Sequence, residues 1–467
     1  MQIVEMIKAH ASKQPAKSAI VYQGKKRSYA NIQKEIDRYR HLLVAKARQD
    51  GLVPPLRIAI DLKDTDDQLF AFLAIASLGW IGVPSNDAWS KREKDAAFTL
   101  SKADALFTNK GQSAPCLIWR VEEIGTYTEE TELPTATKND SFYIGFTSGS
   151  TGKPKAYMRT HQSWSASFDA AKDVFGLCSE DRVSVPGSLF HSLFLFAAVH
   201  TLHMGATVYL EPSFAPHQVI QTVRNENINI IYAVPTMTQA LVGVAENPIE
   251  EVSAVIVSGA KWGKRQREQA KRSFPNAELI EFYGASELSF VSYLNHSKSD
   301  HKETAVGTLF PGVEMKVDQE HRLFVQSPYL FAGYVGEPAP ESWQTVGDIG
   351  YLDDHNVVHV KGRTGNMLII GGHNVYPEEV ERLAKTLPFV DEAVAVGIDH
   401  DYWGKQMELY IKGGADVPDD GKRQVRLILN EQLTPIKRPR RIHFVDAYPV
   451  LASGKIDRQA LVGKTNE

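Results

Sequence analysis

Short apolar runs rich in β-branched and aromatic residues recur up to about residue 305: RIAIDL, WIGVPS, DALFT, FYIGFTS, ATVYLE, INIIYAVP, AVIVSGA and LIEFYG. Stretches with helical spacing lie between them, and this alternation predicts parallel sheets flanked by helices. The N-terminus, MQIVEMIKAHASKQPAK, spaces its apolar residues as an amphipathic first helix and lacks the long apolar core of a signal peptide. From Val306 to about Gly362 the turn signals crowd together (FPG, VGEP, VGD, LDDHN) and helical periodicity disappears. Small antiparallel strands or a barrel are expected there. After Gly362 the pattern restarts. Pro377 opens a helix with Val380, Leu383, Ala384 and Leu387 at i, i+3, i+4 and i+7. Strands AVAVGI and MELYIK, a helix around Val425, Ile428 and Leu429, and a final strand RIHFV complete a compact α+β module.

The expected fold is an α/β large N-terminal domain, with parallel sheets flanked by helices plus a small β subdomain, and a smaller α+β C-terminal domain on a hinge. The expected boundaries are 1–363 for the large domain, 306–363 within it for the β subdomain, 364–366 for the hinge and 367–467 for a mobile C-terminal domain. Gly365 and Asn366 supply the permissive backbone that a hinge needs. A chain of 467 residues exceeds what one hydrophobic core usually supports, which agrees with this division.

Composition narrows the class. An apolar fraction of 43% with 23% charged residues is that of an ordinary globular protein, and a net charge of −4 gives no global basic field for nucleic acid or an anionic membrane. Cys116 and Cys178 supply neither a zinc cluster nor a disulfide framework. They read as packing residues of a cytoplasmic protein. The most apolar stretch, Phe190 to Leu210, is interrupted by His191, His200, His203 and Gly205, so no membrane span is expected.

The chemistry starts at TSGSTGKPK, Thr147 to Lys155, which follows the strand-like SFYIGF. Gly149 and Gly152 let successive N–H groups converge into an anion-binding nest. Thr147, Ser148, Ser150 and Thr151 add hydroxyls, and Lys155 adds a positive charge. A Walker A loop needs a glycine five residues before its Gly-Lys pair and Ser or Thr after it. Here Thr147 and Pro154 stand in those places around Gly152-Lys153, so this is a different phosphate loop.

The string resembles the phosphate loop of the adenylate-forming superfamily, which includes acyl-CoA synthetases, peptide-synthetase adenylation domains and beetle luciferases. Further motifs of that family follow in its order across nearly the whole chain. FYGASE is similar to its YGxTE box. The resemblance implies that Glu287, with Thr147, holds Mg²⁺, that Tyr283 stacks near the adenine, and that Gly284, Ala285 and Ser286 belong to the nucleotide site. SGAKWG resembles the segment whose backbone runs beside the adenine, at Gly259 and Ala260. VGDIGYLD resembles the TGD box, with Asp348 implied as acceptor for both ribose hydroxyls and Arg363 implied against the ribose. A carboxylate is the natural bidentate acceptor for a vicinal diol.

PVLASGKIDR resembles the last motif of the family, which implies that Lys455 bridges the substrate carboxylate and the ATP α-phosphate. A cation is needed there because attack of a carboxylate anion on a phosphate is repulsive. IIGGHN resembles the segment that lines a pantetheine tunnel, at Gly371 and Gly372, and Lys437, Arg438, Arg440 and Arg441 are candidates to hold CoA phosphates. The hinge position is usually Asp or Lys in the family and is Asn366 here.

LFHSLFLFAAVH resembles the segment in which an aromatic-His pair gates the carboxylate pocket, with His191 as its histidine. No aspartate is present there to hold an α-amine, which disfavours an amino acid substrate. Leu193, Phe194, Leu195 and Phe196 suggest an apolar wall for a fatty or aryl acid, although any core helix would show the same run. The implied reaction is acid:CoA ligation with ATP, Mg²⁺ and CoA. An acyl carrier protein as the acceptor, a non-catalytic acyl- or nucleotide-binding relative, and a homodimer remain open.

Overall fold

The computed structural model describes residues 2–121, 133–148, 154–298, 301–370, 373–400, 403–414, 416–450 and 456–462. Two sheets organise the large domain. The larger has eleven strands, with a parallel centre built from Ser18–Tyr22, Thr207–Leu210, Arg182–Val185, Ile230–Ala233, Ala254–Val257 and Glu278–Ala285. The second has seven strands, in which Ile81–Pro84, Arg57–Asp61, Ala105–Thr108 and Leu117–Arg120 run parallel to Ser141–Ser148. These strands are the apolar runs of the sequence. Parallel strands covered on both faces must be apolar at nearly every position, and strands such as Ile230–Ala233 and Ala254–Val257 are buried throughout.

Helices Thr65–Ser77 and Ser192–Met204 are buried nearly all round, as their near-continuous apolar sequence requires. Their side chains join strand residues of both sheets in one core cluster. The stretch 306–363 forms antiparallel strands, as its turn density suggested. Val357–Arg363 and Asp348–Leu352 extend the larger sheet, and Glu314–Val317 pairs with Leu323–Gln326. Val306, Leu323 and Val358 make a small core of their own beneath them.

The C-terminal domain has a five-stranded sheet around Gly404–Gly413, which pairs antiparallel with Val390–His400 and parallel with Arg441–Val445. Its core is separate from that of the large domain. The helix opened by Pro377 ends at Ala384. Leu387 lies beyond it but still packs on that core, because Pro388 stops the helix early. Cys116 is half-buried, with its thiol pushed up to about 11 by burial, whereas Cys178 is exposed rather than packed. Among the described residues no helix is long and apolar enough to cross a membrane.

Three core histidines carry a consequence for stability. His161 stacks on Phe142, His200 donates to the Phe168 carbonyl at 3.0 Å, and His203 packs its ring on Phe168. Burial holds their pKa values down, to about 4, about 3 and about 4, from an ordinary 6.5. Below pH 6.5 the unfolded chain takes up these protons and the fold does not, so stability falls as the pH drops toward 4. We expect a loss of up to about 1.4 kcal/mol per pH unit for each histidine over that window. Glu281, at about 2, loses its contribution only below its ordinary 4.5, so it leaves the upper part of the window to the histidines. Thermal midpoints that stay level between pH 6.5 and 5 would contradict this.

Candidate functional site

Thr147 and Lys155 face each other as register partners at the end of a two-stranded antiparallel pair, Ser141–Ser148 with Pro154–Thr160. Gly149, Ser150, Thr151 and Gly152 lie outside the described residues, as does the side chain of Ser148. The platform beneath is tightly packed. Tyr143 and Tyr157 share a hydrogen bond of 3.0 Å, and a side chain at Gly145 would run into both hydroxyls. Ser192 and Ser286 lie close enough to Tyr157 to act on its hydroxyl, so one buried phenol stands near both the helix after His191 and the FYGASE box. Two residues along, the buried Arg159 donates to the Tyr329 carbonyl at 2.7 Å. Burial lowers its pKa to about 10, which leaves a fixed positive charge near Glu287 at neutral pH.

The FYGASE box ends strand Glu278–Ala285 and turns into Ser289–Asn295. Gly284 is the tight point, because a Cβ there would strike the Ser289 carbonyl. Glu287 stands in that turn. Its backbone carbonyl accepts from the Phe331 N–H, and its Oε1 accepts from the Tyr334 hydroxyl at 2.9 Å. The face of the same tyrosine carries the Lys155 ammonium, 4.4 Å from the ring centroid. Lys155 also reaches Glu337 at 3.4 Å.

Asp348 and Arg363 are cross-strand partners. Arg363 Nε donates to Asp348 Oδ1 at 2.7 Å, and the Tyr283 hydroxyl donates to Oδ2. Burial and the Asp348 charge together push the Tyr283 phenol far up, so it remains a donor. Burial alone would lower the Arg363 pKa, but its bond to Asp348 more than offsets this, and Glu287 is close enough to add to the rise. On the adjoining strand end, Ser258 donates to the Phe282 carbonyl at 2.9 Å, and the next residue, Gly259, has φ +93° with only Val234 Cγ1, at 3.4 Å, near where a Cβ would sit. The buried Glu281 holds the following turn, accepting from the Trp262 N–H and Lys261, both at 2.9 Å. Ala260 is exposed at its edge.

His191 precedes helix Ser192–Met204, and its ring meets Phe190 edge-on at 5.0 Å. Phe194, Leu195 and Phe196 do not form the expected pocket wall. They are at most 5% exposed and pack into the core, Phe196 against Trp164, Phe168 and Phe290. Leu193 alone of the four is partly exposed, because a run apolar on every side buries most of a helix. The aromatic surface beside Thr147 and His191 comes from Trp89, Phe146 and Phe190, with Trp89 5.3 and 4.7 Å from the other two.

Gly371, Gly372 and Lys455 lie outside the described residues. Asn366 ends a short helical turn, Thr364–Asn366, and donates to Glu378 at 2.7 Å. Of the basic run, Lys437 pairs with Glu379 at 2.7 Å, Arg438 donates to the Leu433 and Asn430 carbonyls, and Arg441 lies 3.7 Å from Glu408. These three are engaged within the C-terminal domain.

The residues fit a nucleotide with a hard cation. Among the described residues no group of three or more His, Cys, Asp or Glu could hold a metal by itself. Magnesium rarely needs one, since it is usually held by one or two carboxylates and substrate phosphates. Glu287 supplies such a carboxylate, and the left-handed backbone at Gly259, which a side chain would strain, leaves bare main chain for a planar group to approach.

Comparison with known proteins agrees with a nucleotide-dependent α/β enzyme. The chain matches the family described as AMP-binding enzyme over residues 7–335, and the AMP-binding enzyme C-terminal domain over residues 379–455. It is 35% identical over 422 residues to the uncharacterized acyl-CoA ligase YhfT of Bacillus subtilis (strain 168), covering 86% of this chain and 87% of that one. It is 29% identical over 487 residues to the putative long chain fatty acid-CoA ligase VraA of Staphylococcus epidermidis, covering 99% and 98%. The fold superimposes on o-succinylbenzoate CoA synthetase (MenE) from Bacillus subtilis in complex with an acyl-adenylate, with a TM-score of 0.85, 24% identity, and 98% and 97% of the two chains covered. The chain belongs to the AMP-binding enzyme family.

Proposed function

We propose that this enzyme is an AMP-forming acid:CoA ligase. It would join a carboxylic acid to ATP as acyl-AMP with release of pyrophosphate, then pass the acyl group to the CoA thiol. The observation that carries this is the meeting of two constellations from distant motifs, Tyr283–Asp348–Arg363 and Lys155–Tyr334–Glu287, near enough for Glu287 to act on Arg363. The likeness to acyl-CoA ligases over most of the chain supports the acid and thiol substrates.

Each group has a task in such a reaction. Asp348 accepts from the ribose hydroxyls while Tyr283 and Arg363 hold its plane. Lys155 and the hydroxyl of Thr147 face the phosphates, with Arg159 adding a buried positive charge behind them. When bound, Mg²⁺ would neutralise charge on the leaving pyrophosphate, and Glu287 with Thr147 would hold it. His191 and the Trp89–Phe146–Phe190 surface suit a fatty or aryl acid, since apolar and aromatic walls favour such groups. The C-terminal domain would turn about residues 364–366, first to bring Lys455 to the carboxylate and then to bring Gly371 and Gly372 to the thiol. The short Thr364–Asn366 turn supports that hinge. Polar contacts such as Arg265 to Asp391 at 3.2 Å, which cross to the C-terminal domain, can break and reform.

The test is AMP release with ATP and Mg²⁺ across short, medium, long-chain and aryl acids, with and without CoA. Acid-dependent AMP release that requires CoA is expected. Release that requires an acyl carrier protein instead would replace the acceptor, and none with any acid or acceptor would overturn the reading.

A further inference from the structure

Tyr334 belongs to none of the motifs that define the candidate site, yet it touches two of them. It lies on the two-residue strand Gly333–Tyr334, which pairs with Met158 and Tyr157 on the strand that carries Lys155. The neighbouring Phe331 N–H bonds the Glu287 carbonyl at 2.9 Å. The Tyr334 backbone is thus fixed both to the lysine's strand and to the glutamate's turn. Its hydroxyl donates to Glu287 Oε1 at 2.9 Å, while its ring face carries Lys155 Nζ at 4.4 Å.

Two opposite charges that share one neighbour would ordinarily pair with each other, and no ion pair joins Lys155 to Glu287 among the described residues. A direct pair would occupy the cation meant for phosphate and the carboxylate meant for metal. We infer that Tyr334 is a positioning residue that keeps this pair apart, giving the carboxylate an O–H donor and the ammonium a π-face so that both stay poised for a metal nucleotide. A cation over a tyrosine face keeps its charge and is released without a strong bond being broken. One hydrogen bond on Oε1 fixes the carboxylate rotamer and leaves Oε2 for the metal. Burial raises the phenol's pKa, which keeps it a donor beside the carboxylate. Glu337, half-exposed and 3.4 Å from Lys155, completes the lysine's resting position.

This inference rests on the proposed role of Glu287 as metal ligand, so the experiment separates the two. ATP binding is measured by calorimetry with Mg²⁺ and with EDTA, for the full chain and for Tyr334→Phe, Tyr334→Leu and Glu287→Gln, with thermal midpoints recorded for each. Tyr334→Phe keeps the ring and loses the donor, so the gain in affinity that Mg²⁺ brings should fall by about fivefold, with metal-free ATP bound as before. Tyr334→Leu removes the barrier as well, and affinity should fall both with and without metal as Lys155 turns to Glu287. Glu287→Gln should lose the Mg²⁺-dependent gain. A merely structural role would move the midpoints and leave the Mg²⁺-dependent gain unchanged. If Glu287→Gln loses the gain and Tyr334→Phe matches the unaltered chain, the Tyr334 role is wrong and the site reading stands. If Glu287→Gln keeps the gain, both are wrong. Should Tyr334→Leu fail to fold, Tyr334→Phe alone decides.

Discussion

Replacing Lys455 by alanine should cut acid-dependent pyrophosphate release by about 10²–10³-fold and leave ATP binding largely intact. The reason is electrostatic. A carboxylate approaching the α-phosphate meets like charge, and one ammonium touching both groups lowers that repulsion as the new bond forms, more in the transition state than with ATP alone. In the proposed site ATP would be held by other groups, among them Asp348 and Lys155, so equilibrium binding should hardly change. Calorimetric ATP binding with pyrophosphate release on the same preparation checks both halves. Full turnover in the variant would remove Lys455 from the reaction, and lost ATP binding would make it a nucleotide-binding residue instead.

The second large effect falls on Asp348, which is 5% exposed and serves Tyr283 and Arg363 together. A carboxylate offers about four lone-pair positions, so both partners can stay in place with a vicinal diol bound. Asp348→Ala would remove the proposed acceptor for the ribose and leave a partly buried phenol and a guanidinium without their partner. We expect ATP affinity to fall by about 10–100-fold. Stability should fall by about 1–3 kcal/mol, less than for a fully buried pair because Arg363 is half-exposed and water takes over part of its solvation. Asp348→Asn, which keeps the shape and one acceptor oxygen, should recover much of the stability and little of the affinity. Denaturant unfolding beside ATP titration distinguishes these, and equal losses of affinity in both variants with unchanged stability would show that the trio is not the shared support described above.

Much of this fold follows from local pattern. The run RIHFV is the strand Arg441–Val445, and the alternating apolar runs of the large domain are the strands of its two sheets. Periodicity reports which positions want burial, and it does so wherever one element meets one core. It does not report which element is the neighbour. The run Phe194–Phe196 could be read as a pocket wall or as helix interior, and the core took it because Trp164, Phe168 and Phe290 stand opposite.

The candidate site divides in the same way. Asp348 and Arg363 are close in sequence, and both sit in recognisable motifs. Tyr334 was hidden because its link to Glu287 spans 47 residues and its own segment, AGYVGEP, shows only turn chemistry. The Gly333 before it takes φ +110°, and Tyr334 itself pairs with Tyr157 on the neighbouring strand, neither of which a glycine in a turn-rich segment announces. Arg159 and Glu281 were equally silent, since a buried charge is visible in sequence only as a charge.

The most direct test of the central claim is acid-dependent exchange of labelled pyrophosphate into ATP, measured without CoA. Exchange that appears only when a carboxylic acid is present, and disappears in Lys455→Ala, is the predicted result. Absence of exchange with every acid tried, in a protein that binds ATP and Mg²⁺, would contradict adenylation as its chemistry.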